Sequence, residues 1–221
     1  MTFFEVFCGN MLSVSMEMIF YLAAARQLFG RIPFKNRKHL WNIIGALLAY
    51  LLYFALAATI FLKSGLFSWP HNGGEVIISY AIIFGLMLVL KTSYQKPLKV
   101  CLATSVFMRI LYDVGWNLAD VCTPDRFYNL SIMSDRRAYL FFEWILLPLG
   151  FCAVILLLNK TNSRELFRQW EEQKPKTGVL VFLGLYPILS QTIQEVVDIS
   201  AREMGYNPAT SVIFLLIVYM I

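Results

Sequence analysis

Four residues in the stretch 98–120 carry groups able to do chemistry: Arg109, Asp113, Asn117 and Asp120. They stand four, four and three positions apart, so on an α-helix they share one face. An ionisable group inside an apolar helix is costly and normally faces a bundle interior or a wet cavity. Asp113 lies one turn from Arg109 and is placed to pair with it, which lowers the cost of burying both. A second polar face holds Gln191, Gln194, Glu195 and Asp198, a third holds Asn10, Ser13 and Glu17, and Glu143 adds another carboxylate. Two uses of these groups stay open. One is an outward-open pocket for a polar ligand or part of a peptide, with Glu17, Arg109, Asp113, Asn117, Gln191, Glu195 and Asp198 as its binding residues and Arg109 at its base. The other is a structural network in which Asp113 and Glu17 satisfy Arg109 and the remaining groups hold helices together. Proton or ion transport ranks below both, because only Glu17 approaches the inner half of a span.

Catalytic constellations are missing. His39 and His71 are the only histidines and fall in different links, so no H-E-x-x-H zinc site exists. There is no G-x-S-x-G elbow, P-loop or G-x-G-x-x-G. The four cysteines, Cys8, Cys101, Cys122 and Cys152, are far apart and form no C-x-x-C pair. The expectation is a chain without catalytic residues, metal or cofactor.

The elements that must position the polar faces follow from composition. The 221 residues are 58% hydrophobic and only 15% charged, with a mean hydropathy of +0.62. The apolar residues come in blocks of about twenty, the length a helix needs to cross the hydrocarbon of a bilayer. Ten-residue alternating segments, the mark of a membrane β-barrel, are absent. Spans are expected at 3–26, 41–62, 75–91, 98–120, 138–158, 179–199 and 209–221. Pro33, Pro70, Pro97, Pro124, Pro175 and Pro208 punctuate the links. The fold class is therefore all-α, a polytopic helical membrane bundle of six full transmembrane helices plus a truncated seventh, forming one domain over 1–221.

Orientation follows from the basic residues. One set of links holds Arg26, Arg31, Lys35, Arg37, Lys38, Lys91, Lys96, Lys99, Lys160, Arg164, Arg168, Lys174 and Lys176; the opposite set holds only Lys63, Arg126, Arg136, Arg137 and Arg202. Basic residues collect on the cytoplasmic side, which puts the N-terminus outside. The net charge of +5 is then a topology signal rather than a nucleic-acid footprint. Seven spans would end in the cytoplasm, while the last block, 209–221, is short for a crossing. The expectation is a longer natural chain continuing into the cytoplasm.

Two cytoplasmic links carry further pattern. Arg31 to Trp41 sets basic residues ahead of a tryptophan, an inner-interface anchor that also suits anionic headgroups. Arg164 to Glu172 places Leu166, Phe167 and Trp170 on one face, the pattern of a short amphipathic helix on the membrane surface.

The run Phe34-Lys35-Asn36-Arg37-Lys38-His39-Leu40-Trp41, together with the layout of short-linked spans, resembles the membrane sensor regions of Firmicute histidine kinases of the GHKL class, which are similar in layout to peptide-pheromone receptors of the accessory-gene-regulator type. The resemblance covers the chain as architecture and about eight residues as motif. It implies a multi-pass protein of the bacterial plasma membrane, an extracellular ligand that is often a peptide, a homodimer, and a cytoplasmic phosphoacceptor histidine and ATP-binding domain that this sequence does not contain. The expected function is the membrane sensor region of a two-component histidine kinase, passing a helix movement from an extracellular peptide or small polar ligand to a kinase. The alternative is a small membrane transporter or substrate-capture subunit for a polar solute. Its partners on either reading include the lipid bilayer and exclude nucleic acid.

Overall fold

The positions at which the helices stop are chemically explicit. Gly30 follows the first helix with φ +81° and donates its N–H to the Arg26 carbonyl at 3.0 Å, a left-handed cap that favours glycine. Asn36 opens the next helix as its N-cap, its Oδ1 accepting from the His39 N–H at 2.8 Å. Gln95 takes φ 55° and donates to the Lys91 carbonyl at 3.0 Å, and Pro97 prevents the helix from resuming there. Asn162 makes the same left-handed turn, with φ 51°.

These stops delimit six helices in a computed structural model that describes residues 3–64, 73–121, 145–172, 181, 184–190 and 192. They are α1 (Phe3–Phe29), α2 (Arg37–Ser64), α3 (Gly73–Tyr94), α4 (Leu98–Val121), α5 (Leu147–Lys160) and α6 (Ser163–Glu172). Helical backbone recurs at 184–190. Among the described residues there is no strand. Among the described residues three helices are long and apolar enough to cross a membrane: Phe3–Phe29, Arg37–Ile60 and Val76–Tyr94. At 1.5 Å per residue the 27 residues of α1 rise about 40 Å. The chain is thus a helical membrane protein; α4, although 24 residues long, carries too much polar surface to be assigned by hydropathy. The expected fifth span, 138–158, is described only from residue 145, with a wider turn at 145–146 leading into α5 at Leu147 and Pro148 in its first turn, where a missing N–H costs nothing. The expected sixth span is described only in part, and the seventh lies outside the described residues.

Each long helix packs on its chain neighbour, α1 on α2, α2 on α3 and α3 on α4, and α4 packs on α5. Helix α1 closes the ring by packing on α5, α4 and α6. Its inward stripe is Val14, Met18, Phe20, Tyr21, Ala24, Ala25 and Leu28, while Ile19 on the opposite side is 67% exposed. Leu52, Phe84, Leu149 and Leu156 are exposed on the other helices, an apolar outer surface that suits lipid and that soluble proteins avoid. Small side chains let the helices close up. A Cβ on Gly150 would strike the Gly115 carbonyl oxygen, so α4 and α5 meet backbone to backbone, as small residues allow in membrane bundles. Buried hydroxyls return to their own helix, Thr104 to the Val100 carbonyl at 2.7 Å and Ser105 to the Cys101 carbonyl at 2.7 Å.

At the end of the bundle where the basic links gather, the amphipathic helix expected over 164–172 forms as α6. Phe167 packs edge-on to Phe29 of α1 with ring centroids 5.2 Å apart. His39 joins α2 to α3 there: its Nε2 lies 2.8 Å from the Thr92 carbonyl oxygen, and Lys35 donates a backbone N–H to Nδ1 at 3.5 Å.

Candidate functional site

Glu17 is the fifteenth residue of α1 and Arg109 the twelfth of α4, so both sit at mid-helix. The crossing of the two helices brings them together. Arg109 Nη1 lies 3.7 Å from Glu17 Oε1, and Arg109 Nε lies 3.3 Å from Asp113 Oδ1. All three side chains are largely enclosed, at 16%, 12% and 19% exposure for Arg109, Glu17 and Asp113.

Tyrosines complete the shell. Tyr21, one turn after Glu17 on the same face, donates its hydroxyl to Glu17 Oε1 at 2.8 Å. Tyr186 donates to Asp113 Oδ2 at 2.6 Å, and Tyr80 donates to the Gly184 carbonyl at 2.6 Å. These two bonds seat the 184–190 helix on α4 and α3. The guanidinium carbon of Arg109 stands 4.8 Å from the centre of the Tyr112 ring, a cation–π contact that is stronger away from water. Phe151 of α5 stacks on Phe20 at 4.4 Å and tilts against Tyr112 at 5.1 Å. The ion cluster thus rests on an aromatic floor drawn from α1, α4 and α5.

Two polar groups in this shell have no hydrogen-bond partner among the described residues. The Tyr50 hydroxyl is buried without a hydrogen-bond partner, although Tyr50 lies within electrostatic reach of Glu17, Arg109 and Tyr112. Arg109 Nε is also buried without a hydrogen bond; its N–H is not aimed at the nearby Asp113 oxygen. A guanidinium has five N–H donors, and none of them donates to a described residue. Arg109 is held by charge and by a ring face, and its Nε–H has no acceptor among the described residues.

Of the residues expected to bind ligand, the structure brings Glu17, Arg109 and Asp113 into one cluster. Asn117 belongs to α4 one turn beyond Asp113, and the description of its side chain ends there. Gln191, Glu195 and Asp198 lie outside the described residues, as do Gln194 and Glu143. The other polar residues of α1 serve different neighbours: Asn10 donates to Thr59 Oγ1 on α2 at 3.0 Å. Sequence reasoning missed Tyr21, Tyr50, Tyr112 and Tyr186. Tyr21 was findable from its spacing of four to Glu17; Tyr50 and Tyr186 carry no local signal.

Among the described residues no three His, Cys, Asp or Glu side chains group as a metal site. Among the described residues Cys8, Cys101 and Cys152 form no disulfide. No protein-family model, curated protein or solved structure matches this chain. The fold and site therefore define a class, a helical membrane protein with an ionic cluster at mid-bundle, and the functional reading rests on that cluster.

Proposed function

We propose that this chain is the membrane sensor region of a two-component histidine kinase, with six full spans and its N-terminus outside. It binds an extracellular peptide or small polar ligand and passes a helix movement to a cytoplasmic kinase. The observation that carries the reading is Arg109, set at mid-helix between two carboxylates with no donor used in a hydrogen bond to a described residue. A ligand carboxylate or carbonyl would accept those N–H groups, and charge-assisted bonds of this kind are the strong ones. Taking them draws the guanidinium from its longer contact, Glu17 at 3.7 Å, which is the ionic tie between α1 and α4. Because α1 also carries α6 through the Phe29–Phe167 contact, a change of α1 against α4 reaches the basic end. The mechanism is a shift of population between two bundle packings. The resemblance at Phe34 to Trp41 supports the same assignment.

A second reading, a small transporter or substrate-capture subunit, has one observation in its favour. Two carboxylates face one guanidinium, so the cluster suits a solute bearing positive charge. One experiment separates the two. The chain is placed in lipid nanodiscs with spin labels on the basic-end turns of α1 and α4, and exposed to the peptide fraction of medium in which the producing cells have grown. The same fraction is offered to sealed proteoliposomes. A changed inter-label distance that Asp113→Asn abolishes, without uptake, supports the sensor; accumulation of a solute inside the vesicles replaces it with the transporter.

A further inference from the structure

At the basic end, α1, the link between α3 and α4, and α6 enclose a cavity of about 420 Å³. Its apolar side is Phe29 and Phe167, and its polar side is Lys96, Arg164, Glu165 and Arg168. Among the described residues that line it, three cations face one carboxylate. Arg168 is compensated: Glu165 lies 2.9 Å from its Nη2 and Glu172 lies 3.8 Å from its Nε. Lys96 holds its ammonium 5.8 Å from the centre of the Phe29 ring.

Arg164 differs. Its guanidinium makes no ion pair or hydrogen bond with a described residue, yet it is placed rather than trailing, packed so closely on Gly30 that a Cβ there would strike Nη2. The glycine that stops α1 also makes room for this cation. The planar guanidinium presents paired N–H groups that match a tetrahedral oxyanion better than an ammonium does. The site's height points the same way. Phe29 closes α1, Lys96 lies two residues past the end of α3, and Arg164 lies four past the end of α5, so all three stand where the apolar helices leave the membrane.

We propose that this cavity binds a phosphate oxyanion between Arg164 and Lys96, carried either by the headgroup of an anionic phospholipid or by a soluble phosphate ester. Phe29 and Phe167 pack beside the glycerol or ester carbon, and Arg168 stays with its two glutamates. Occupancy would clamp α6 to the end of α1.

The full chain is purified in detergent with a mixture of phosphatidylglycerol and phosphatidylcholine, and retained lipid is counted by native mass spectrometry. Glycerol 3-phosphate is titrated calorimetrically into the chain in phosphatidylcholine nanodiscs. Each basic residue near a bilayer surface changes anion affinity about fivefold, so Arg164→Gln is expected to weaken binding by about that factor. Glu165→Gln, which removes the lining carboxylate and releases Arg168, is expected to strengthen it, a sign that damaged folding would not give. Retention of phosphatidylglycerol with this pattern identifies a lipid headgroup, and glycerol 3-phosphate binding with this pattern, without lipid retention, identifies a soluble ester. Equal binding of both probes by the wild-type chain, Arg164→Gln and Glu165→Gln, or binding of neither, overturns the proposal.

Discussion

At the scale of single residues, the Arg109 cluster makes opposite demands on its members. Removing one partner of a buried ionic group leaves the other charge uncompensated, a loss of about 3–5 kcal/mol. Arg109→Gln strands two carboxylates and is expected to fall in that range, measured by reversible unfolding in bicelles. Glu17→Gln removes only the contact at 3.7 Å, leaves Arg109 with Asp113, and is expected to cost less than half as much. The tyrosines divide similarly. Tyr21 bonds Glu17, and polar bonds inside membranes are worth about 1 kcal/mol, so Tyr21→Phe should lose about that amount. Tyr50 has a buried hydroxyl with no partner, and deleting an unsatisfied group removes a desolvation penalty. Tyr50→Phe should leave stability unchanged or raise it; a loss matching that of Tyr21→Phe would show that the Tyr50 hydroxyl is bonded after all. The pairing of Arg109 with Asp113 was legible in the sequence from the spacing of four, and Glu17 from the cost of an unpaired charge in lipid, which makes the few carboxylates within apolar spans its candidate partners. The bond from Tyr186, 73 positions from Asp113, was not, since nothing near either residue records which helices become neighbours.

At the scale of elements, α4 and α5 meet at two glycines that do not respond alike to the same change. A methyl group on Gly150 meets the Gly115 carbonyl and the Ala119 backbone nitrogen, which cannot move without separating the helices. A methyl group on Gly115 meets Phe151 Cδ1 at 2.6 Å, an aromatic edge able to turn at the expense of its stacking on Phe20. Overpacking costs about 1–3 kcal/mol, with Gly150→Ala expected at the upper end and Gly115→Ala at the lower. The same unfolding measurement orders them, and the reverse order would place the close approach on the Phe151 side. The end of α1, the start of α2, the end of α3 and the start of α4 were readable to within four residues because Gly30, Pro33 and Pro97 are strong punctuation. The left-handed turn at Gln95 was not, since glutamine carries no preference for it and the fold imposes it. For α6 the apolar face was legible and its target was not: the sequence shows that Phe167 must be covered, and only the assembled bundle shows that Phe29 covers it.

At the scale of the whole molecule, the basic residues and the fold make one joint statement. The Gly30 cap, the turn at Gln95 and the link at Asn162 all lie at the end where α6 packs on α1, and the links there hold most of the lysines and arginines. An asymmetry of this kind normally marks the cytoplasmic side. The expected topology can be read by labelling in cells, using a chain whose Cys8, Cys101, Cys122 and Cys152 have been replaced. In that background Asn36→Cys and Asn162→Cys should react with a membrane-impermeant maleimide only after permeabilisation, and Thr2→Cys should react in intact cells. Asn36 is the N-cap of α2, so Gln95→Cys serves as a second reporter of the same side should that cap matter for folding. Labelling of position 36, 95 or 162 in intact cells would invert the orientation, carry α6 and the Arg164 cavity to the outer surface, and remove the route by which movement of α1 could reach a cytoplasmic kinase.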